Sequence, residues 1–187
     1  QFGLLLDAAT GVGKTYMGMS IAVGCRNDIN VIVCPLDLVE SVWMSSFTID
    51  PGNLLRRKLD RNEIYISTEF DKKKYNGEKW IIVHYEALNK FKDMLPTFGN
   101  KTFTFVVDEV HNFTAKDSVR KNLLLDVFKI SKSKDRLLMS GTTIKGSNLE
   151  MVQYLDMLDE KFTPIVKDRF KKIYATKVKD FNYKNNV

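Results

Sequence analysis

The segment Ala8-Ala9-Thr10-Gly11-Val12-Gly13-Lys14-Thr15 carries the residue types and spacing that cradle a polyphosphate. Gly11 and Gly13 bring no side chain that would obstruct the approach of backbone to phosphate oxygens. The N–H groups at the start of the helix that follows point at those oxygens, with the helix dipole favouring their charge. Thr10, Gly11, Val12, Gly13, Lys14 and Thr15 are therefore predicted to hold a nucleotide. In this pattern Lys14 reaches the β- and γ-phosphates and Thr15 offers its hydroxyl to Mg²⁺.

A metal-assisted phosphoryl reaction also needs a carboxylate for Mg²⁺ and a second group to orient or deprotonate the attacking water. Asp108-Glu109-Val110-His111 supplies both acids directly after the apolar run Phe103-Thr104-Phe105-Val106-Val107. A surface Asp-Glu turn is the alternative. The position after a buried strand favours the functional reading, because ligands of open α/β sheets bind at the carboxyl ends of the strands.

These residues need a scaffold that brings distant segments to one edge. Short apolar runs at 2–6, 31–34, 63–67, 80–84, 103–107 and 136–140 are strand-like in length. Runs such as Val31-Ile32-Val33 lack a polar alternation, which suits strands covered on both faces. Helical stretches are predicted between and after them at 14–24, 38–47, 86–94, 118–130 and 148–158, the last marked by capping-box spacing of Ser147 and Glu150. The alternation predicts an α/β fold with a mostly parallel central sheet flanked by helices. Leu155, Leu158, Phe162 and Phe170 read as core. The hydrophilic stretch 48–77, with Arg56-Arg57-Lys58 and Lys72-Lys73-Lys74, reads as a surface loop around one strand, with nucleic-acid contact as the sharper alternative.

Composition bounds the rest. The 187 residues, 44% hydrophobic and 28% charged, suit one globular domain. A net charge of +6 fits a partner bearing phosphates, and equally a solubilising surface. Cys25 and Cys34 have no metal-ligand spacing, so two buried, reduced thiols in an intracellular protein are expected. No apolar run is long enough for a membrane span and no signal peptide is evident, so a soluble chain without a membrane partner is predicted. The sequence starts at Gln1 and enters an apolar run at once, which reads as a piece of a longer protein. The 22 Lys against 7 Arg fit an AT-rich genome such as that of a virus or phage.

The two motifs, in this order and followed by Ser140-Gly141-Thr142, resemble superfamily 2 helicases. Within them the chain looks most like the first RecA-like lobe of a Swi/Snf-type DNA translocase. Val31-Ile32-Val33-Cys34-Pro35-Leu36-Asp37-Leu38-Val39, with Trp43 after it, is similar to that branch's strand-Pro-Leu-x-Leu-helix motif. Ile81-Ile82-Val83-His84-Tyr85-Glu86-Ala87-Leu88 resembles its strand followed by Tyr-Glu-x-Leu, and residues 141–150 resemble the segment that closes the lobe. Ala8 stands where the strict phosphate loop has Gly, Thr143 where the branch has Pro, and Ala8-Ala9-Thr10 where it has Asp-Glu-Met.

The resemblance implies a RecA-like P-loop NTPase lobe that uses ATP and Mg²⁺ and acts on nucleic acid, with duplex DNA favoured over RNA. It implies that Asp108 holds the metal through water together with Thr15, that Glu109 is the catalytic base, and that His111 couples the site to neighbouring motifs. Ser140, Gly141 and Thr142 would link hydrolysis to nucleic-acid binding, with Pro35, Leu36, Asp37 and Tyr85 meeting the nucleic acid. Trp43 and His84 are secondary candidates. A second RecA-like lobe, absent from this sequence, would supply the arginine groups that complete the site. Two rival functions remain: a nucleotide-binding scaffold without catalysis, which Lys14, Thr15, Asp108 and Glu109 argue against, and a small-molecule phosphotransferase, which needs an Arg-rich lid.

Overall fold

A computed structural model describes residues 2–49, 58–114, 118–141 and 148–174. Six strands run in parallel: β1 (Phe2–Asp7), β2 (Ile29–Cys34), β3 (Ile64–Ile66), β4 (Trp80–His84), β5 (Phe103–Val107) and β6 (Asp135–Ser140). Their order across the sheet is β1-β6-β5-β2-β4-β3. The helices are α1 (Lys14–Cys25), α2 (Leu36–Leu38), α3 (Ser45–Ile49), α4 (Leu88–Met94), α5 (Val119–Ile130), α6 (Asn148–Leu158) and α7 (Pro164–Tyr174). This is the RecA-like arrangement, and every described motif lies at the same carboxyl edge because all strands point one way. Among the described residues no helix is long and apolar enough to cross a membrane.

Both faces of the sheet are covered, which accounts for the unbroken apolar runs. Val31, Val33, Ile81, Val83, Phe105 and Leu138 pack with Leu88 and Phe91 of α4, Leu124 and Phe128 of α5, and Tyr154 and Met157 of α6. On the other face Ile32, Ile66, Ile82, Val106 and Met139 pack with Met19 of α1, Trp43 and Phe47. Gly18 lets α1 settle closely on that face, since a Cβ there would lie 3.0 Å from Met139 Sδ and 3.2 Å from Val106 Cγ1.

The structure departs from the sequence reading in the details of the helices. In place of one α-helix at 38–47 the chain forms α2, a π-helical segment over Val39–Met44, and α3. The predicted helix at 86–94 opens as a 3₁₀ turn, Tyr85–Ala87, before α4. Helix α7, which begins at Pro164, lies beyond the predicted helices. Leu155, Phe162 and Phe170 are only half-buried, with Phe162 and Phe170 meeting edge to face at 5.9 Å, so the stretch is a boundary layer and not core. The Ser147 cap, Thr142, Thr143, Arg56 and Arg57 lie outside the described residues.

Candidate nucleotide site

The loop between β1 and α1 has the backbone its glycines allow. Gly11 and Gly13 have φ of 84° and 89°, a left-handed conformation that other residues adopt at a cost. Gly13 caps α1 with no side chain bonded to the helix end, and the first turn carries no acid. The leading N–H groups of a twelve-residue helix therefore face the loop without a protein anion, which is the electrostatic setting an incoming phosphate needs. Lys14 Nζ donates to Ala8 O at 2.8 Å and to Ala9 O at 3.0 Å. These two carbonyls hold the ammonium group over its own loop.

Strand β6 ends against this loop. Ala8 N–H donates to Ser140 O at 3.2 Å, and a Cβ on Gly141 would lie 3.5 Å from Lys14 Nζ. Gly141 thus leaves space beside the lysine. Ser140 Oγ lies 3.0 Å from His111 Nδ1, which is also 3.2 Å from Glu109 Oε2. One imidazole nitrogen therefore stands between the acid that follows β5 and the hydroxyl that ends β6.

Asp108 sits directly beyond β5, 5% exposed, and its backbone N–H donates to Val33 O at 2.8 Å. Burial pushes its carboxyl above the ordinary range. Hydrogen bonds from Glu109 N–H to Oδ1 at 2.9 Å and from the Trp43 indole N–H to Oδ2 at 3.1 Å pull the other way, as does the Lys14 charge. Glu109 follows at φ 45°, a left-handed non-glycine position of the kind that costs about 1–3 kcal/mol and collects at functional sites. Its carbonyl is gripped by Asn112 N–H at 3.0 Å, Asn112 Nδ2 at 3.0 Å and the Tyr85 hydroxyl at 3.3 Å. The Glu109 side chain lies toward His111, with Oε2 3.2 Å from Nδ1.

Tyr85 requires a correction. Expected at the nucleic-acid surface, it is 5% exposed, and its hydroxyl donates to Asp108 O at 2.6 Å. Its ring meets Phe113 edge to face at 4.8 Å, and the Arg120 guanidinium lies 5.1 Å from the ring centroid. A phenol held on all sides buttresses the acidic turn and cannot contact a duplex. Trp43 is wholly buried for the same reason. His84 is half-buried, its Nδ1 2.6 Å from Ser67 Oγ. Pro35, Leu36 and Asp37 lie just past the carboxyl end of β2, with Leu36 and Asp37 exposed.

Among the described residues no three His, Cys, Asp or Glu side chains cluster to hold a metal. The acidic turn offers instead the carboxylates of Asp108 and Glu109, and the loop carries the Thr15 hydroxyl at the start of α1. That sparse oxygen set fits Mg²⁺, which keeps several waters and takes its remaining ligands from phosphates.

Comparison with known proteins bears on this geometry. The family model described as Type III restriction enzyme, res subunit, matches residues 1–145. The chain belongs to this family. It is also 28% identical over 158 residues to a Drosophila melanogaster protein named SWI/SNF-related matrix-associated actin-dependent regulator of chromatin subfamily A-like protein 1, a match over 81% of this chain and 19% of that protein. Together these support the first lobe of a superfamily 2 helicase of Swi/Snf type, a family of ATP-using motors. The chain spans about a fifth of the relative's length.

Trp43 and Tyr85 were expected at the nucleic acid and not as partners of the acidic turn, and the exposed Asn112 carried no motif signal.

Proposed function

We propose that this chain is the ATP-binding lobe of an ATP-dependent translocase or helicase acting on duplex DNA inside the cell, and that a second lobe elsewhere in the parent protein completes its active site. The observation that carries the reading is the meeting of three strand ends: the Lys14 loop after β1, the Asp108-Glu109 turn after β5, and Ser140-Gly141 after β6. A nucleotide binder needs only the first. The Glu109–His111–Ser140 chain gives the acid a partner on the neighbouring strand, as expected of a motor that couples hydrolysis to another event.

In this reading Thr10, Gly11, Val12 and Gly13 wrap the phosphates with backbone N–H groups, and Lys14 exchanges Ala8 O and Ala9 O for phosphate oxygens. Thr15 and Asp108 are the residues that would hold Mg²⁺, which neutralises charge on the transferred phosphoryl group. Glu109 orients and deprotonates the attacking water, with His111 positioning its carboxylate. Ser140, Gly141 and Thr142 carry the change toward the nucleic acid, which meets Pro35, Leu36 and Asp37 at the exposed end of β2. Removing an arginine finger costs about 10³ to 10⁵ in rate, so this lobe alone binds nucleotide and turns it over poorly.

The test is nucleotide binding by the 187-residue chain, followed with a fluorescent ATP analogue and Mg²⁺, and ATP hydrolysis with and without duplex DNA. Wild type binds, Lys14→Ala does not, and turnover stays near background. Equal binding by the Lys14 variant would refute the phosphate-loop assignment. Vigorous DNA-stimulated hydrolysis by this chain would refute its dependence on a second lobe.

A further inference from the structure

The proposed nucleotide chemistry occupies the carboxyl edge of the sheet, whereas a group of exposed cations lies at the opposite edge. Several cations elsewhere are matched: Arg61 by Glu40 and Glu69, Lys73 by Glu78, Lys90 by Asp71, Arg120 by Glu86, and Lys121 and Lys167 by Asp156. Exposed Lys72, Lys74 and Lys129 have no such partner among the described residues. Neither do Arg26, Lys79, Lys101, Lys132 and Lys134, which the loops entering β2, β4, β5 and β6 bring to one edge.

The acids of this edge are hydrogen-bonded to neutral groups in its loops, and the Asp28 carboxylate also feels the charges of Lys101 and Lys79. Asp28 Oδ2 accepts from the Thr102 backbone N–H and from the Thr102 hydroxyl, both at 2.8 Å. Asp135 Oδ2 accepts from Asn27 Nδ2 at 2.8 Å. Lys101, Lys132 and Lys134 line a groove of about 480 Å³, together with hydroxyl and amide groups, the carboxylate of Asp135 and the apolar Leu95, Pro96 and Ile130.

We propose that this groove binds the phosphodiester backbone of nucleic acid, a second point of attachment on the far side of the sheet from the nucleotide. Lysines on flexible stems alternating with hydroxyl and amide groups suit a row of phosphates. A protein partner is typically anchored by aromatic or arginine side chains in a desolvated pocket, and the groove's charged groups are lysines and one aspartate. The groove reads charge and not base identity, so it is indifferent to sequence. Lying far from Lys14, it tethers the substrate whatever the state of the nucleotide. The choice of nucleic acid over another polyanion rests on the translocase reading.

The experiment measures binding of a short fluorescent duplex to the 187-residue chain by anisotropy across a salt series. The triple variant Lys101→Gln, Lys132→Gln, Lys134→Gln should weaken binding at low salt by at least about tenfold. It should also flatten the plot of log affinity against log salt by about 2–3, at about 0.9 for each phosphate no longer neutralised. The corresponding triple Arg variant should bind like wild type, which separates the effect of charge from that of folding. Unchanged affinity and slope in the Gln variant overturn the proposal. So does displacement of the duplex by polyglutamate as readily as by unlabelled DNA of equal charge, which would mark an acidic-protein surface. Lys14→Ala reports separately: loss of nucleotide with the duplex retained supports both readings. A wild type that binds no nucleotide but loses the duplex in the Gln variant leaves the groove standing and removes the motor assignment.

Discussion

Trp43→Phe is the perturbation that most directly probes how the acidic turn is prepared for a metal. Phe retains most of the aromatic body among Phe47, Met19 and Ile82 but removes the indole N–H that donates to Asp108 Oδ2 at 3.1 Å. A hydrogen bond to a charged acceptor contributes about 1.5–3 kcal/mol, and the Asp108 carboxylate is buried. Stability of the lobe should fall by about that amount near neutral pH, read from urea unfolding. The indole bond also favours the ionised form against the burial that disfavours it, so its loss pushes the Asp108 carboxyl further up. Protons then compete better with Mg²⁺. Outer-shell partners of metal ligands typically affect affinity or activity by about 10–100-fold. The Mg²⁺ midpoint for binding a fluorescent ATP analogue should therefore rise by at least about tenfold in the variant, and more at acidic than at alkaline pH. Asp108→Asn, which cannot ionise, provides the limit. If Trp43→Phe keeps the wild-type Mg²⁺ midpoint at both pH values while Asp108→Asn loses it, the indole only fills space and the reasoning fails.

Two further outcomes follow from the same edge of the sheet. Tyr85→Phe removes a donor shared by Asp108 O and Glu109 O, and should lower stability by about 0.5–1.5 kcal/mol; an unchanged urea midpoint would show that the left-handed turn at Glu109 holds without it. His84 carries a pKa held below its ordinary value, chiefly by burial, and its Nδ1 is paired with Ser67 Oγ. A depressed folded pKa means that the unfolded chain takes up the proton first. Stability attributable to neutral His84 is complete above about pH 6.5 and is lost as pH falls through the folded pKa. Melting temperature followed downward from neutral pH should drop less steeply in His84→Gln than in wild type, and parallel curves would reject the assignment.

What the sequence disclosed follows the range of the interactions involved. The phosphate loop is legible because its chemistry is local: two glycines set the backbone, and the lysine and threonine open the helix that follows. The strands are legible because double coverage leaves uninterrupted apolar runs, and Trp80–His84 and Phe103–Val107 form at the expected bounds. The π-helical Val39–Met44 was hidden, since a widened turn leaves nearly the same apolar spacing as an ordinary one. Tyr85 was misplaced because a tyrosine after a strand reads alike whether its hydroxyl meets solvent or a backbone carbonyl. Only the packing of β4 beside β2, and of β2 beside β5, brings that hydroxyl to Asp108.

The same limit governs charge. A net charge of +6 is a sum, and says nothing of which cations are neutralised. Arg61 meets Glu40 across 21 residues and Arg120 meets Glu86 across 34, so neither pair can be read from local patterning. At the amino edge Asp28 is held by Thr102 and Asp135 by Asn27, neutral donors, and among the described residues neither acid forms an ion pair with a neighbouring lysine, although Asp28 feels the charges of Lys101 and Lys79. The carboxyl edge takes the opposite course. Asp108 and Glu109 stand there, with Lys14 as a counter-charge to Asp108. The two edges of one parallel sheet thus differ in charge, with the acids of the site at one and exposed lysines at the other.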